Sequence, residues 1–337
     1  MGRIWSRWLG STSFTLLALS MLAPALAREV RPRYPIIPSR GPAEARPSGF
    51  DLRPTYTLRG YTPADHFSSP EGIAVDERNR IVYVADTGKG RVVAFSFQGL
   101  PKFVLEVAGI SAPRDLVVDE KGRLFVADKD APIVRAVDAQ GKTVLKMDLT
   151  GASMVGSPRI RGLAVDRQGR LYVGDQAGAQ VLVCDTEGHV LSRIGSPGDR
   201  EGQLKMIEDV ALDRVGRIYV VDSVGTAVNV FDPQGRFIFR FGRISADQDD
   251  LRSPASLAID RHDQLWVVDQ ADHAVRVFDG RGFALRRFGG DAPGSVAGFL
   301  FPSAVATDDS GSIYIAEKGA SQVQVFALSN PFLPFRP

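Results

Sequence analysis

The sequence predicts an all-β fold built from six copies of one four-stranded antiparallel unit, and three observations predict it. First, an apolar run ending in aspartate recurs at Asp76, Asp119, Asp166, Asp213, Asp260 and Asp308, at separations of 43, 47, 47, 47 and 48 residues. Second, nine residues after each aspartate (ten in the first unit) another apolar run ends in an acid: Asp86, Asp128, Asp175, Asp222, Asp269 and Glu317. Third, no 3.6-residue periodicity persists long enough for a helix of any length. Thirty-four glycines and 21 prolines among 337 residues suit a chain full of tight turns.

Each unit supplies its strands in order. The innermost carries small residues: Ala74, Ala164, Ala211, Ala258 and Ala306, with Val117 in the second unit. The second is an apolar run such as Ile218-Tyr219-Val220-Val221-Asp222, and the third is a run such as Val275-Arg276-Val277-Phe278. The fourth follows a glycine turn, as in Phe237-Ile238-Phe239-Arg240-Phe241. Three residues after the first aspartate stands Asn79, Gly122, Gly169, Gly216, Asp263 or Gly311. These types tolerate the positive φ that closes a hairpin, and the aspartate caps the turn's NH groups. Asp138, Asp185, Asp232 and Asp279 repeat the device with Gly141, Gly188, Gly235 and Gly282 in the second hairpin.

Six such sheets cover one another when arrayed around an axis, so the expected architecture is a six-bladed β-propeller of four-stranded antiparallel blades. The last unit has only three strands of its own. Its outer strand is expected from the N-terminus, with residues 54–60 pairing near 323–328 and closing the ring. The propeller is expected over residues 53–330, followed by a tail at 331–337.

The first 27 residues read as a secretory signal peptide. Arg3 and Arg7 precede a short apolar stretch, Phe14–Leu22, and Ala25-Leu26-Ala27 is a small-x-small cleavage site. Cleavage after Ala27 implies a periplasmic or extracellular protein with no stable membrane insertion. Residues 28–52 are a Pro/Arg-rich tether. The formal charge is +2, and losing Arg3 and Arg7 with the leader leaves 39 basic against 39 acidic residues. A neutral chain has no field to attract nucleic acid, which is not an expected partner. One cysteine, Cys184, excludes a disulfide framework and reads as a small core residue.

The units resemble NHL repeats. The pattern is Ser69-Pro70-Glu71-Gly72-Ile73-Ala74-Val75-Asp76, then Val82-Tyr83-Val84-Ala85-Asp86-Thr87-Gly88, then Arg91-Val92-Val93; the fifth unit fits too, with Ser253-Pro254, Asp260, Asp269 and Asp272–Asp279. The resemblance spans 54–329. It implies a six-bladed propeller that is most often a binding platform. Some members are enzymes, among them the peptidyl-hydroxyglycine amidating lyase, and neighbouring propellers include lactonases with an axial divalent metal.

In such a ring, the loops into the inner strands and the loops between second and third strands share one face. Just before the inner strands stand Glu71, Arg114, Asp115, Arg161, Glu208 and Asp209 in blades one to four, but only Ala255-Ser256 and Ser303-Ala304 in blades five and six. Blade three has two extra residues between Pro158 and Asp166, inserting Arg159-Ile160. The other loop set adds Lys89, Lys129, Asp130 and His273. The candidate binding residues are therefore Glu71, Arg114, Asp115, Arg159, Arg161, Glu208, Asp209, Lys129 and His273. The bland alternative is a solvated rim of ion pairs worth about 0–1 kcal/mol each.

The expected function is an exported, non-catalytic scaffold recognising a protein, peptide or glycan, as a monomer with no required cofactor. The alternative is a metal-assisted lyase or lactonase at the mouth, with Glu71, Asp115, Glu208 and Asp209 as oxygen ligands for Ca2+. Zinc with histidine ligands is disfavoured, because His189 and His262 fall in turns of the opposite face and only His66 and His273 could share the mouth's face. The lyase's set of axial histidines, tyrosine and arginine is not recognisable. Dinucleotide and phosphate-loop fingerprints are absent from the sequence.

Overall fold

The computed structural model describes residues 51–329 apart from 154, 243–249 and 291–297. The leader, residues 28–50 of the tether, and the tail lie outside the described residues. Blade one comprises β2 (Pro70–Asp76), β3 (Ile81–Asp86), β4 (Arg91–Ser96) and β5 (Pro101–Leu105). Blade two comprises β6 (Pro113–Val118), β7 (Leu124–Asp128), β8 (Ile133–Val137) and β9 (Thr143–Asp148). Blade three has β10 (Ile160–Val165), β11 (Leu171–Asp175), β12 (Gln180–Cys184) and β13 (Val190–Ile194). Blade four has β14 (Ile207–Leu212), β15 (Ile218–Asp222), β16 (Ala227–Phe231) and β17 (Phe237–Phe241). Blade five has β18 (Pro254–Ile259), β19 (Leu265–Asp269), β20 (Ala274–Phe278) and β21 (Ala284–Gly289). Blade six has β22 (Pro302–Thr307), β23 (Ser312–Glu317) and β24 (Gln322–Ser329), and is completed by β1 (Asp51–Leu58).

All six sheets are four-stranded and antiparallel. The second strands are buried along their whole length, as in β7, β11, β15 and β19. They are covered on both faces by neighbouring blades, so their sequences are continuous apolar runs rather than alternating ones. The core is correspondingly divided into six clusters, one between each pair of adjacent blades.

The ring closes as expected, with a shifted boundary. β1 pairs with β24 from Asp51↔Ser329 to Leu58↔Val323, so the latch is 51–58 rather than 54–60. Leu52 packs into the cluster facing blade five, and Leu58 into the cluster facing blade one. Tyr56 reaches across and donates its hydroxyl to the Phe97 carbonyl of blade one at 2.6 Å. The register shifts between Pro54 and Tyr56, and Thr55 Oγ1 donates to the Val325 carbonyl at 2.8 Å. An outer strand with a bulge is where a proline without an NH is tolerated.

The repeated acids are structural. The first set caps the β-turns: Asp166 Oδ1 accepts from the Gln168 and Arg170 NH groups, and its Oδ2 accepts from Arg170 Nε. Asp119 and Asp213 do the same with Arg123 and Arg217. The second set ties down the loop leading into each inner strand. Asp222 accepts from the Lys205 and Met206 NH groups, and Asp269 from those of Arg252 and Ser253. Blade one departs from the expected turn: φ is positive at Arg80 (53°), not at Asn79. Asn79 instead donates both its NH and its side-chain amide to Asp76, which lengthens that turn by one residue.

Candidate functional site: the axial mouth

Each inner strand shifts register at its second residue, and this irregularity builds the site. The shifts fall between Pro70 and Gly72, Pro113 and Asp115, Ile160 and Leu163, Ile207 and Asp209, Pro254 and Ser256, and Pro302 and Ala304. A bulge re-aims the unpaired side chain. Glu71, Arg114, Arg161 and Glu208, with Ala255 and Ser303, thereby line a cavity of about 420 Å³ at the top of the axis. These residues lie within the inner strands, not before them. The two-residue insertion in blade three is also corrected. Ile160 pairs with Asp175 as Pro70 pairs with Asp86, so Ile160 occupies the usual proline position and Pro158 lies upstream in the loop.

The next residue forms a second layer, which alternates Gly72, Asp115, Gly162, Asp209 before Ser256 and Ala304. Asp115 accepts NH bonds from Leu116 and, across the blade boundary, from Leu163 at 2.6 Å. Asp209 accepts from Val210 and from Leu257 of blade five at 2.8 Å. The glycines make room for this. A Cβ at Gly162 would stand 2.5 Å from the Val210 nitrogen. Both carboxyls line the central channel, of about 270 Å³. Burial pushes the pKa of each upward, and the charge of Asp115 adds to the rise at Asp209.

A further ring comes from the residue after the second acid of each blade: Thr87, Lys129, Gln176, Ser223, Gln270 and Lys318. Three of them strap one blade to the next: Thr87 Oγ1 donates to the Pro113 carbonyl, and the amides of Gln176 and Gln270 donate to those of Ile207 and Pro302. Lys129 was anticipated; Lys318 was not, although it holds the equivalent position and would have been found by reading that position in all six repeats.

The charges are unevenly paired. The Glu71 side chain, 2% exposed, meets Arg114, Lys129 at 2.8 Å and Lys318 at 3.1 Å. Burial disfavours its charged form, but Arg114, Lys318 and Lys129 outweigh that and hold its pKa at about 2. Glu208 meets Arg114 at 3.1 Å and accepts from Gln176 at 2.9 Å. Arg161 differs from the rest. It makes no hydrogen bond or ion pair among the described residues, and its Nε is buried without a partner. Burial, and the like charge of Arg114, lower the pKa of its guanidinium against the smaller opposing pull of Glu208 and Glu71.

The remaining candidates stand apart. Arg159 is exposed on the rim, 3.5 Å from the Gln176 amide oxygen. His273 occupies the positive-φ turn position held elsewhere by Ala179, Thr226 and Ser321. Its ring lies edge-on to Phe301, and its Nδ1 is 3.2 Å from the Phe299 carbonyl. It does not line the mouth. The expected calcium tetrad does not assemble: no three of Glu71, Asp115, Glu208 and Asp209 bring oxygens within 4.8 Å of one another. The inter-blade bonds of Asp115 and Asp209 hold those carboxylates to separate strands. Among the described residues, one trio of metal-capable side chains does converge, Asp185, Glu187 and His189. It sits on the exposed turn between β12 and β13, where Asp185 caps the Glu187 and His189 NH groups.

Six four-stranded blades with an axial mouth define a repeat-built β-propeller. A family model for the NHL repeat matches residues 67–95 and 299–326, in blades one and six, so NHL-repeat sequence is found in two blades of this six-bladed propeller. No curated protein matches the sequence. Among solved structures it is similar to a streptogramin B lyase, at 12% identity over 85% of this chain and 100% of that one, with a TM-score of 0.62. A catalytically inactive histidine-to-alanine variant of virginiamycin B lyase from Staphylococcus aureus, solved with quinupristin, is 12% identical over 83% of this chain and 100% of that one, with a TM-score of 0.59. A protein of unknown function from Bacteroides thetaiotaomicron is 16% identical over 83% of this chain and 76% of that one, with a TM-score of 0.62. At these identities the likeness is one of fold alone.

Proposed function

We propose that this chain is an exported, non-catalytic binding propeller whose axial mouth recognises an anionic group on a protein, peptide or glycan partner, in the periplasm or outside the cell. One observation carries the reading. Arg161 faces the mouth with no hydrogen bond or ion pair among the described residues, and the acids that act on its charge from a distance, Glu208 and Glu71, are already in contact with Arg114, Lys129 and Lys318. A half-buried guanidinium without a partner loses solvation, and an incoming anion offsets that loss with charge-assisted hydrogen bonds. The same pairing disfavours a cation, which would have to compete with three positive groups for Glu71.

The test uses the purified mature chain, immobilised. A partner retained by the wild type and by Val215→Asp, on the opposite face, but lost by Arg161→Glu supports the reading. Equal retention by all three proteins would sink it. The lyase reading has the fold of the neighbouring structures in its support. Yet all four histidines of this chain stand outside the residues that line the mouth. Turnover of quinupristin by the purified protein, followed by mass spectrometry, would reverse that preference.

A further inference from the structure

We propose that the anionic group is the free C-terminal carboxylate of a peptide, held between Arg161 and Lys318, with its last side chain against Met206 and Val224. The inference rests on the binding reading above and names the ligand class.

Charge, apolar surface and shape of the cavity support it. Arg161 and Lys318 line the same cavity from blades three and six. Lys318 shares one Glu71 oxygen with Lys129, at 3.1 and 2.8 Å, so two ammonium groups divide a single acceptor atom. Counting Arg114, Arg161, Lys129 and Lys318 against Glu71 and Glu208, the mouth carries an excess of positive charge that one carboxylate reduces without reversing.

The open side is the apolar side. Met206 and Val224 are 39% and 53% exposed, and both line the cavity beside Pro254 and Ala255. Exposed apolar groups beside an unpaired cation fit an amphipathic ligand better than a sugar, whose surface is hydroxylated. Gln270 and Ser223 stand in the same wall and can bond a peptide amide.

The shape selects a chain end. The mouth continues into a channel walled by the small and branched residues of the inner strands, such as Ala74, Ala258 and Val165. A terminus enters along the axis, whereas an internal segment must enter and leave by the same opening. Burial lowers the pKa of both Lys318 and Arg161, and a bound carboxylate relieves that cost.

The probe is a random-sequence decapeptide library, prepared once with free C-termini and once amidated, passed over the immobilised mature chain. The expected result is retention of free-ended peptides with apolar last residues. Amidation should weaken binding by about tenfold or more, the loss of a charge-assisted contact. Arg161→Gln should do the same with an unchanged melting curve, and Lys318→Gln should do the same with a small drop in melting temperature from its lost ion pair with Glu71. If amidated or internally acidic peptides bind as tightly, and the two variants still abolish binding, the chain-end anchor is wrong and the binding reading survives. If the wild type retains no peptide beyond what Arg161→Gln retains, the anchor is overturned. Should Arg161→Glu also leave protein and glycan capture unchanged, the binding reading falls with it.

Discussion

Blades one to four and blades five to six meet at one mouth but differ at the bulge position, charged in the first group and small in the second. The first group turns Glu71, Arg114, Arg161 and Glu208 into the axis, where Arg114 links Glu71 to Glu208. The second presents only the small residues Ala255 and Ser303 at the same bulge. That half also holds the seam, since blade six borrows its outer strand from the N-terminus. The scaffold positions, meaning the two acids and the turn residues, hardly change from blade to blade. The bulge position changes in nearly every one. Repetition therefore marks what holds the fold, and departure from repetition marks what the fold presents.

The seam gives the largest way to break the comparison. Removing the chain through Gly60 strips Leu52 and Leu58 from two inter-blade clusters, each worth about 1.5–3 kcal/mol by burial alone. The melting temperature should fall by about 10 °C or more, read by circular dichroism. A chain beginning at residue 50 should melt like the full mature protein, because the latch starts at Asp51. Equal melting of the two truncations would contradict the closure.

Equivalent bulge positions in the two halves should then differ in cost. Glu71→Ala leaves Arg114, Lys129 and Lys318 clustered without their shared acid, and should cost about 3 kcal/mol in urea unfolding. Ser303→Ala, in blade six, removes one hydrogen bond to the Pro70 carbonyl and should cost about 1 kcal/mol. Similar losses at both positions would mean that the ion cluster adds nothing to the fold.

Smaller still is a pH effect at the second layer. A carboxyl whose pKa rises on folding favours the fold while protonated, below its unfolded value, and that contribution is lost as pH climbs through the raised value. Asp209 is such a group. The melting temperature of Asp209→Asn relative to the wild type should therefore increase from about pH 4 to about pH 8. A constant difference would show that Asp209 is ionised throughout. Glu71 has the opposite sign: its lowered pKa adds stability above the ordinary carboxylate range, lost as pH falls toward about 2.

The smallest effect is expected at Arg161. It has no partner among the described residues, so Arg161→Ala should change stability by no more than about 0.5 kcal/mol while removing the mouth's unpaired charge. A large destabilisation would reveal a structural role and weaken the case for a ligand.

The fold was legible because its signals are local and repeated. Each turn needs an aspartate and a residue tolerant of positive φ, and each buried middle strand needs a continuous apolar run. Of the site, Glu71, Arg114, Asp115, Arg161, Glu208 and Asp209 were legible because they lead the inner strands. Lys318, Gln176, Ser223 and Gln270 belong to a different loop set, and only their common place after the second acid connects them. His273 was misjudged because a turn residue and a ligand residue look alike until the rotation of the ring is known.

The sequence by itself determined the number of blades, the order of their strands and the donor of the closing strand, since short-range turn chemistry and apolar patterning recur six times. Only the tertiary structure decided which charges cancel. Arg114 neutralises acids from blades one and four, and Lys318 reaches Glu71 across the seam, over sequence separations that carry no local signal. That pairing depends on where the bulges aim side chains around an axis, and it is what leaves Arg161 unmatched.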